Sequence, residues 1–286
     1  MTHDTQILVC IDGSPISEAV IDYGIWLAMS SQAGLTFLHT IEHSYHSQHV
    51  HREGHLTPNN QTQLLHELSD EERQESKRLM AQGKQLLNAA VHAATQAGVK
   101  TVSPQLRHGT LAEALPEMEE TYLLTVMGIQ GVDHSDQKQG LGAQLEAVIR
   151  AARSPLFIVK TAFRAPESML LAYNGSPTAR KLLQPALYRP FQTLSLHIVS
   201  VDNLNIAHAQ AKVAQARQAL GSCFPEVLGQ PLQGEARNVL IQYQQQHQID
   251  VIAMGAFSHG KLHGFFFGSF TTRMLLDAQT NFLLVR

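Results

Sequence analysis

The sequence predicts an α/β protein of two tandem domains, each a five-stranded parallel sheet with helices on both faces. Three observations carry this prediction. First, the chain repeats itself: Ile7–Pro15 matches Met169–Pro177, Val126-Met127-Gly128 matches Ala253-Met254-Gly255, and Pro155–Val159 matches Asn281–Val285. Second, within each repeat short apolar runs alternate with segments of helical spacing, the pattern of a parallel sheet covered by its own crossovers. Third, 286 residues suit two domains of ordinary size. The repeat offset shrinks by 35 residues between the first and second signals, so the first half carries an insertion, seen as a polar, His-rich stretch at about 42–70. The boundary is expected near Arg164-Ala165-Pro166, giving domains of 1–162 and 163–286.

The elements follow in order. Ile7–Ile11 is a short apolar run, as a buried parallel strand requires. Asp12-Gly13 turns the chain, and Ser14-Pro15 reads as an N-cap with proline at the first helical position. Ile16, Ala19, Val20, Tyr23 and Leu27 then recur at helical spacing until Gly34. Leu35–Thr40 is a second strand, and Asp70–Ala97 a long helix stopped by Gly98. Val99–Leu106 contains Pro104, which confines it to a sheet edge. A helix over Thr110–Glu120, a strand over Tyr122–Met127, a helix over Leu145–Ala152 and a strand over Leu156–Val159 complete the first half. The second half predicts strands near 168–173, 193–199, 227–232, 250–254 and 281–285. Its helices fall near 177–187, 204–220, 235–246 and 270–277, with Pro185 ending or kinking the first.

Composition narrows the function. Hydrophobic residues make up 44% and charged residues 16%, so each half can bury a core. The net charge is -3, which argues against nucleic acid as a partner. Two cysteines, Cys10 and Cys223, fall in different halves; this fits a reducing compartment better than a disulfide framework. No secretory leader or run of about 20 apolar residues is present, so no membrane span is expected. Walker A, nucleophile-elbow and Gly-x-Gly-x-x-Gly patterns are absent from the positions where they would act.

A strand followed by Asp-Gly-Ser, then a strand ending in Met-Gly, a Gly-rich loop, Gly-Ser, a helix and a last apolar strand resembles the universal stress protein family. The resemblance covers nearly the whole chain, twice, in the family's tandem form. It implies Rossmann-like domains of the adenine-nucleotide α-hydrolase-like kind. It further implies a cytoplasmic stress-response regulator that binds ATP or another adenine nucleotide, with no catalytic side chain and at most slow ATP hydrolysis. The family's nucleotide-binding members carry two glycines three residues apart, then nine residues, then Gly-Ser or Gly-Thr, with an aspartate after the first strand. The first half matches at Asp12, Gly128 and Gly131, but Gly142 comes one residue late and is followed by Ala143. The second half keeps Gly255, Gly268 and Ser269 at the family spacing, with Ser258 in place of the second glycine and Asn174 in place of the aspartate. Backbone groups at Ile41 and Val199, near the ends of the second strands, are implied contacts for an adenine edge.

The residues support the same site independently. Glycines let backbone N–H groups approach an anion, and a following helix N-terminus adds partial positive charge. Gly268-Ser269-Phe270-Thr271 leads into a helix, with hydroxyls at Ser269 and Thr271 and a cation at Lys261 nearby. The first-half loop sets Asp133 and Asp136 against Lys138, which favours the second half for phosphates. The bland alternative is that these glycines, and Asp12 and Asn174, only shape turns. His43, His46, His49, His51 and His55 read as a polar loop rather than a metal site, and Phe265-Phe266-Phe267 as core or interdomain packing. The competing function is a non-nucleotide scaffold, or an apolar-metabolite binder, working through protein partners. The two last strands are expected to meet across a pseudo-twofold axis, and a homodimer is compatible with such a chain.

Overall fold

The structure is a computed structural model that describes residues 6–42, 58–118, 122–129, 143–256 and 269–286. The first half contains β1 (Gln6–Cys10), α1 (Ser17–Ser31), β2 (Gly34–Ile41), α2 (Pro58–Gln96), β3 (Val102–His108), α3 (Leu111–Met118), β4 (Tyr122–Gly128), α4 (Ala143–Ala151) and β5 (Leu156–Val159). The second contains β6 (Ser168–Ala172), α5 (Pro177–Lys181), a 3-10 turn over Pro185–Phe191, β7 (Ser195–Asp202), α6 (Ile206–Leu220), β8 (Glu226–Gln233), α7 (Ala236–Gln246), β9 (Val251–Gly255), α8 (Ser269–Asp277) and β10 (Asn281–Val285). Within each half every strand pairing is parallel. The halves fuse where β5 and β10 pair antiparallel, so one ten-stranded sheet runs β3-β2-β1-β4-β5-β10-β9-β6-β7-β8. The order is a mirror of itself about the β5–β10 seam, the expected pseudo-twofold.

Local chemistry explains most boundaries. Pro104 and Pro231 each lie on an outer strand, β3 and β8, where a missing N–H interrupts no inner ladder. Pro185 ends α5, and the chain continues as a 3-10 turn rather than as the helix to 187 that spacing suggested. Ser176 caps α5 by accepting from Ala179 N–H at 3.2 Å, with Pro177 at the first helical position. The matching pair in the first half behaves otherwise. There α1 begins only at Ser17, its N-cap position is Ile16, and the Ser14 hydroxyl makes no cap. Ser17 has taken over the turn: its hydroxyl donates to Asp12 Oδ1 and accepts from Gly13 N–H. Gln32, at φ 55°, makes the left-handed turn after α1, rather than Gly34. The largest departure is α2, which starts at Pro58, twelve residues before the expected Asp70. The stretch 58–69 is polar but built of good helix formers (Gln61, Gln63, Leu64, Leu65, Glu67, Leu68), and polarity alone does not break a helix.

Two apolar layers sandwich the sheet. One is built from alternate strand residues and α1, α2, α5 and α6, and it is a single cluster reaching from Ile7 in the first half to Leu283 in the second. The other lies under α3, α4, α7 and α8 and likewise spans both halves. At the seam Phe157 lies 5.5 Å from the Tyr23 ring and 5.9 Å from Phe191, with Trp26 beyond at 6.0 Å from Phe191. Asn281, 1% exposed, ties the halves through polar groups. Its Oδ1 accepts from Lys160 N–H at 2.9 Å and its Nδ2 donates to the Tyr23 hydroxyl at 2.9 Å. Lys160 Nζ donates to the carbonyls of Leu275 and Ala278 at the end of α8. Burial lowers its pKa to about 8, with Asp277 opposing. A neutral amine still carries two N–H groups, enough for both carbonyls.

Candidate functional site

The carboxyl ends of β1 and β6 are the places where an open α/β sheet presents a ligand crevice, because crossovers leave in opposite directions on either side of them. In the second half a cleft of about 180 Å³ opens there. Its floor is Ala172, Val199, Val201 and Met254 from β6, β7 and β9. Ala236 and Leu240 of α7 and Phe270 of α8 form its walls, while Asn174, Ser176 and Gly255 bring its polar edge. Alternation explains the floor: Leu170 and Ala172, or Val199 and Val201, share a sheet face. Gly255 packs closely. A Cβ there would sit 3.2 Å from Thr178 Cγ2 and 3.3 Å from Ala179 N, so a side chain would require the start of α5 to give by a few tenths of an ångström.

Among the described residues the polar edge presents free donors. Asn174 Oδ1 is consumed by Ser176 N–H at 3.0 Å, an Asx turn, which leaves the exposed Nδ2 as the group offered outward. Ser176 Oγ accepts from Ala179 N–H, which leaves its own O–H. In the first half Asp12 makes the same turn, accepting from Ser14 N–H at 2.9 Å, and stands exposed beside Gly128 on the adjacent β4. Both residues therefore have the turn role that the bland reading allows. Asn174 also lines the cleft.

The structure gathers Asn174, Val199 and Gly255 into one cleft, and separately sets Asp12 and Gly128 at neighbouring strand ends across the sheet. Ser269 opens α8, whose next residue lines the cleft, whereas Thr271 is buried at 2% exposure and does not line it. Gly131, Gly142, Ser258 and Gly268 lie outside the described residues, as do Lys261, the Phe265–Phe267 run, the Asp133–Lys138 loop and the five histidines of the insertion. Ile41 is the last residue of β2, and Val199 lies in β7. Val199 O accepts from Tyr173 N–H at 2.9 Å, and its counterpart is Leu38 O, which accepts from Ile11 N–H. Ile41 O instead receives Gly109 N–H. Sequence reasoning missed Leu240, Met254 and Phe270 as walls. Only Met254 was within reach, through its repeat partner Met127. Among the described residues no cluster of three or more His, Cys, Asp or Glu is placed to hold a metal, and no helix is long and apolar enough to cross a membrane.

Directly below the cleft floor, two residues before Val199 on the same face, His197 is buried at 8% exposure. Its Nδ1 is 2.9 Å from the Tyr243 hydroxyl, and His247 stacks on Tyr243. Burial holds His197 below the ordinary histidine range; His247 pushes the same way and Glu226 opposes. The folded protein thus keeps His197 neutral, while the unfolded chain takes the proton from about pH 6.5 downward. Stability is therefore expected to fall as pH drops through that range, and to fall less in His197→Gln. Thermal melts of both proteins between about pH 7.5 and 5 check this; identical pH slopes would assign the acid sensitivity elsewhere.

The universal stress protein family model matches residues 5–160 and 201–286. The chain belongs to the universal stress protein family. The universal stress protein Slr1230 of Synechocystis sp. is 28% identical over 285 residues, covering 98% of this chain and 99% of the relative. Among solved structures, a universal stress protein from Archaeoglobus fulgidus DSM 4304 aligns over 99% of this chain and 98% of its own, with a TM-score of 0.72 at 17% identity. A functionally unknown protein from Pseudomonas aeruginosa PAO1 aligns over 98% and 91%, with a TM-score of 0.58 at 17% identity. The tandem Rossmann-like architecture is thus shared along the full length. As a universal stress protein of tandem type, this chain differs between its halves at the matched turns, with Asn174 in the second where the first has Asp12.

Proposed function

We propose that this universal stress protein is a cytoplasmic regulator of the stress response, with domains over 1–162 and 163–286. In this reading it binds ATP or another adenine nucleotide in the second-half cleft. The carrying observation is the cleft itself. An apolar slot between Val199, Leu240, Met254 and Phe270 suits the faces of a base. Free donors at Asn174 Nδ2 and the Ser176 hydroxyl, and the opening turn of α8, suit the polar remainder. The glycine spacing at Gly255 and Gly268-Ser269 supports the same placement. In this reading the role is binding, with ATP hydrolysis at most slow; among the described residues that line the cleft no base is paired with a nucleophile. Response to the bound state would pass to protein partners, or to a second copy of the chain.

The test is to precipitate freshly purified protein with acid, identify what is released by mass spectrometry, and measure ATP retention by equilibrium dialysis. A Gly268→Val, Ser269→Ala double variant is treated in parallel. Adenine nucleotide released near one per chain, and lost in the variant, is the expected result. Failure of the wild type to retain ATP at about 1 mM, a binding free energy weaker than about 4 kcal/mol, would remove the nucleotide reading. Release of an apolar metabolite instead would support the scaffold reading, which the largely apolar lining favours.

A further inference from the structure

The turns that carry Asp12 and Asn174 are the same backbone object with different charge around them. Each turn places an Asx Oδ1 against the N–H two residues on, at 2.9 Å for Asp12 and 3.0 Å for Asn174. Each then passes through a left-handed glycine, Gly13 at φ 81° and Gly175 at φ 76°. A Cβ placed on each glycine would meet one side chain of the helix behind it, Leu86 at 3.8 Å in the first half and Lys212 at 3.7 Å in the second. Five residues past each glycine stands an exposed charge, Glu18 in the first half and Arg180 in the second, and Arg180 Nε donates to Gly175 O at 3.2 Å. The first rim thus offers Asp12 and Glu18, two carboxylates. The second offers neutral Asn174, Arg180, and Lys212 paired with Asp202 at 3.4 Å, so one positive charge is left over.

We propose that the second-half cleft selects a nucleotide phosphorylated on its ribose, a 2′- or 3′-phosphate ester, over one with a free ribose diol. This proposal rests on the nucleotide reading above. With the base in the apolar slot, the sugar edge meets Asn174. A free vicinal diol needs acceptors there, and the first half has one in Asp12. Among the described residues the second half offers no charged acceptor there: Asn174 is neutral and its Oδ1 already accepts from Ser176 N–H, while its Nδ2, the Ser176 hydroxyl and the outer nitrogens of Arg180 remain to donate. Those are donors, and a phosphate monoester is an array of acceptors with charge to match; guanidinium–phosphate hydrogen bonds are the stronger, charge-assisted kind. The exchange follows the general chemistry of dinucleotide sites, where an acidic residue bonds a ribose hydroxyl and an arginine accommodates the phosphate ester.

Two isomers make the test clean. ADP and adenosine 3′,5′-bisphosphate have the same atoms and the same number of phosphates, and differ only in where the second phosphate sits. Each is titrated calorimetrically into the full chain and into an Asn174→Asp, Arg180→Glu double variant. Both positions are exposed, so the variant is expected to keep its melting temperature. Wild type should hold the bisphosphate about tenfold or more tightly than ADP, the worth of one charge-assisted contact. The double variant should cancel or reverse that ratio, which locates the selectivity in the second half. Equal affinities, tighter ADP, or a preference that ignores the double variant would overturn this proposal and leave the nucleotide reading standing. No binding of either isomer would overturn both.

Discussion

Replacing Phe157 with alanine is expected to lower the stability of the whole chain by about 3–5 kcal/mol. Phe157 is fully buried on β5, pairs in register with Leu283 across the seam, and touches Tyr23 and Phe191 with its ring. Truncation removes the ring's transfer free energy and leaves a cavity that sheet backbone on both sides cannot collapse into. Because the surrounding cluster runs continuously through both halves, the loss is expected to appear in one cooperative urea transition, shifted as a unit. Phe157→Leu, which refills most of the volume, should cost markedly less. A loss under about 1 kcal/mol, or two separated transitions of which only one moves, would show that the halves do not share this core.

Asn281→Ala is expected to cost about 2–4 kcal/mol, although it removes few atoms. Its carboxamide is buried and used at both ends, accepting from Lys160 N–H and donating to the Tyr23 hydroxyl. The substitution orphans the Lys160 amide and strips a donor from Tyr23, whose hydroxyl otherwise faces the backbone of Ala162 and Arg164 in the connector between halves. An unsatisfied buried donor costs more than the net worth of the bond it lost. The check is a double-mutant cycle with Tyr23→Phe by urea denaturation. Coupling of about 1 kcal/mol or more is expected; strictly additive losses would mean that the two residues contribute separately.

Much of this molecule was legible in its residues. The strand–turn repeat gave ten strands in succession along the chain, and Asp12-Gly13-Ser14 and Asn174-Gly175-Ser176 each end a buried apolar run. Pro104 gave its strand an edge position, and Pro185 gave α5 its end. Other features were not legible, for identifiable reasons. Ser14-Pro15 has the same capping signature as Ser176-Pro177, yet only the second caps, because Ser17 competes for the first turn and position 179 offers no such hydroxyl. The walls Leu240 and Phe270 carry no signature at all: an apolar residue on the inner face of a helix looks the same whether it packs against a neighbour or borders a cleft.

By itself, then, the sequence determined the fold class, the repeat, and the turn residues that must stand at the strand ends, because period, glycine and proline act over a few bonds. Only the tertiary structure decided the register in which β5 and β10 meet, with Phe157 opposite Leu283. It also decided that Asn281, Lys160 and Tyr23 lock that seam. The same holds for the side chains that stand behind the two matched turns. Each of these depends on groups distant in sequence, Gly13 with Leu86 or Gly175 with Lys212, that become neighbours only when the sheet brings them together.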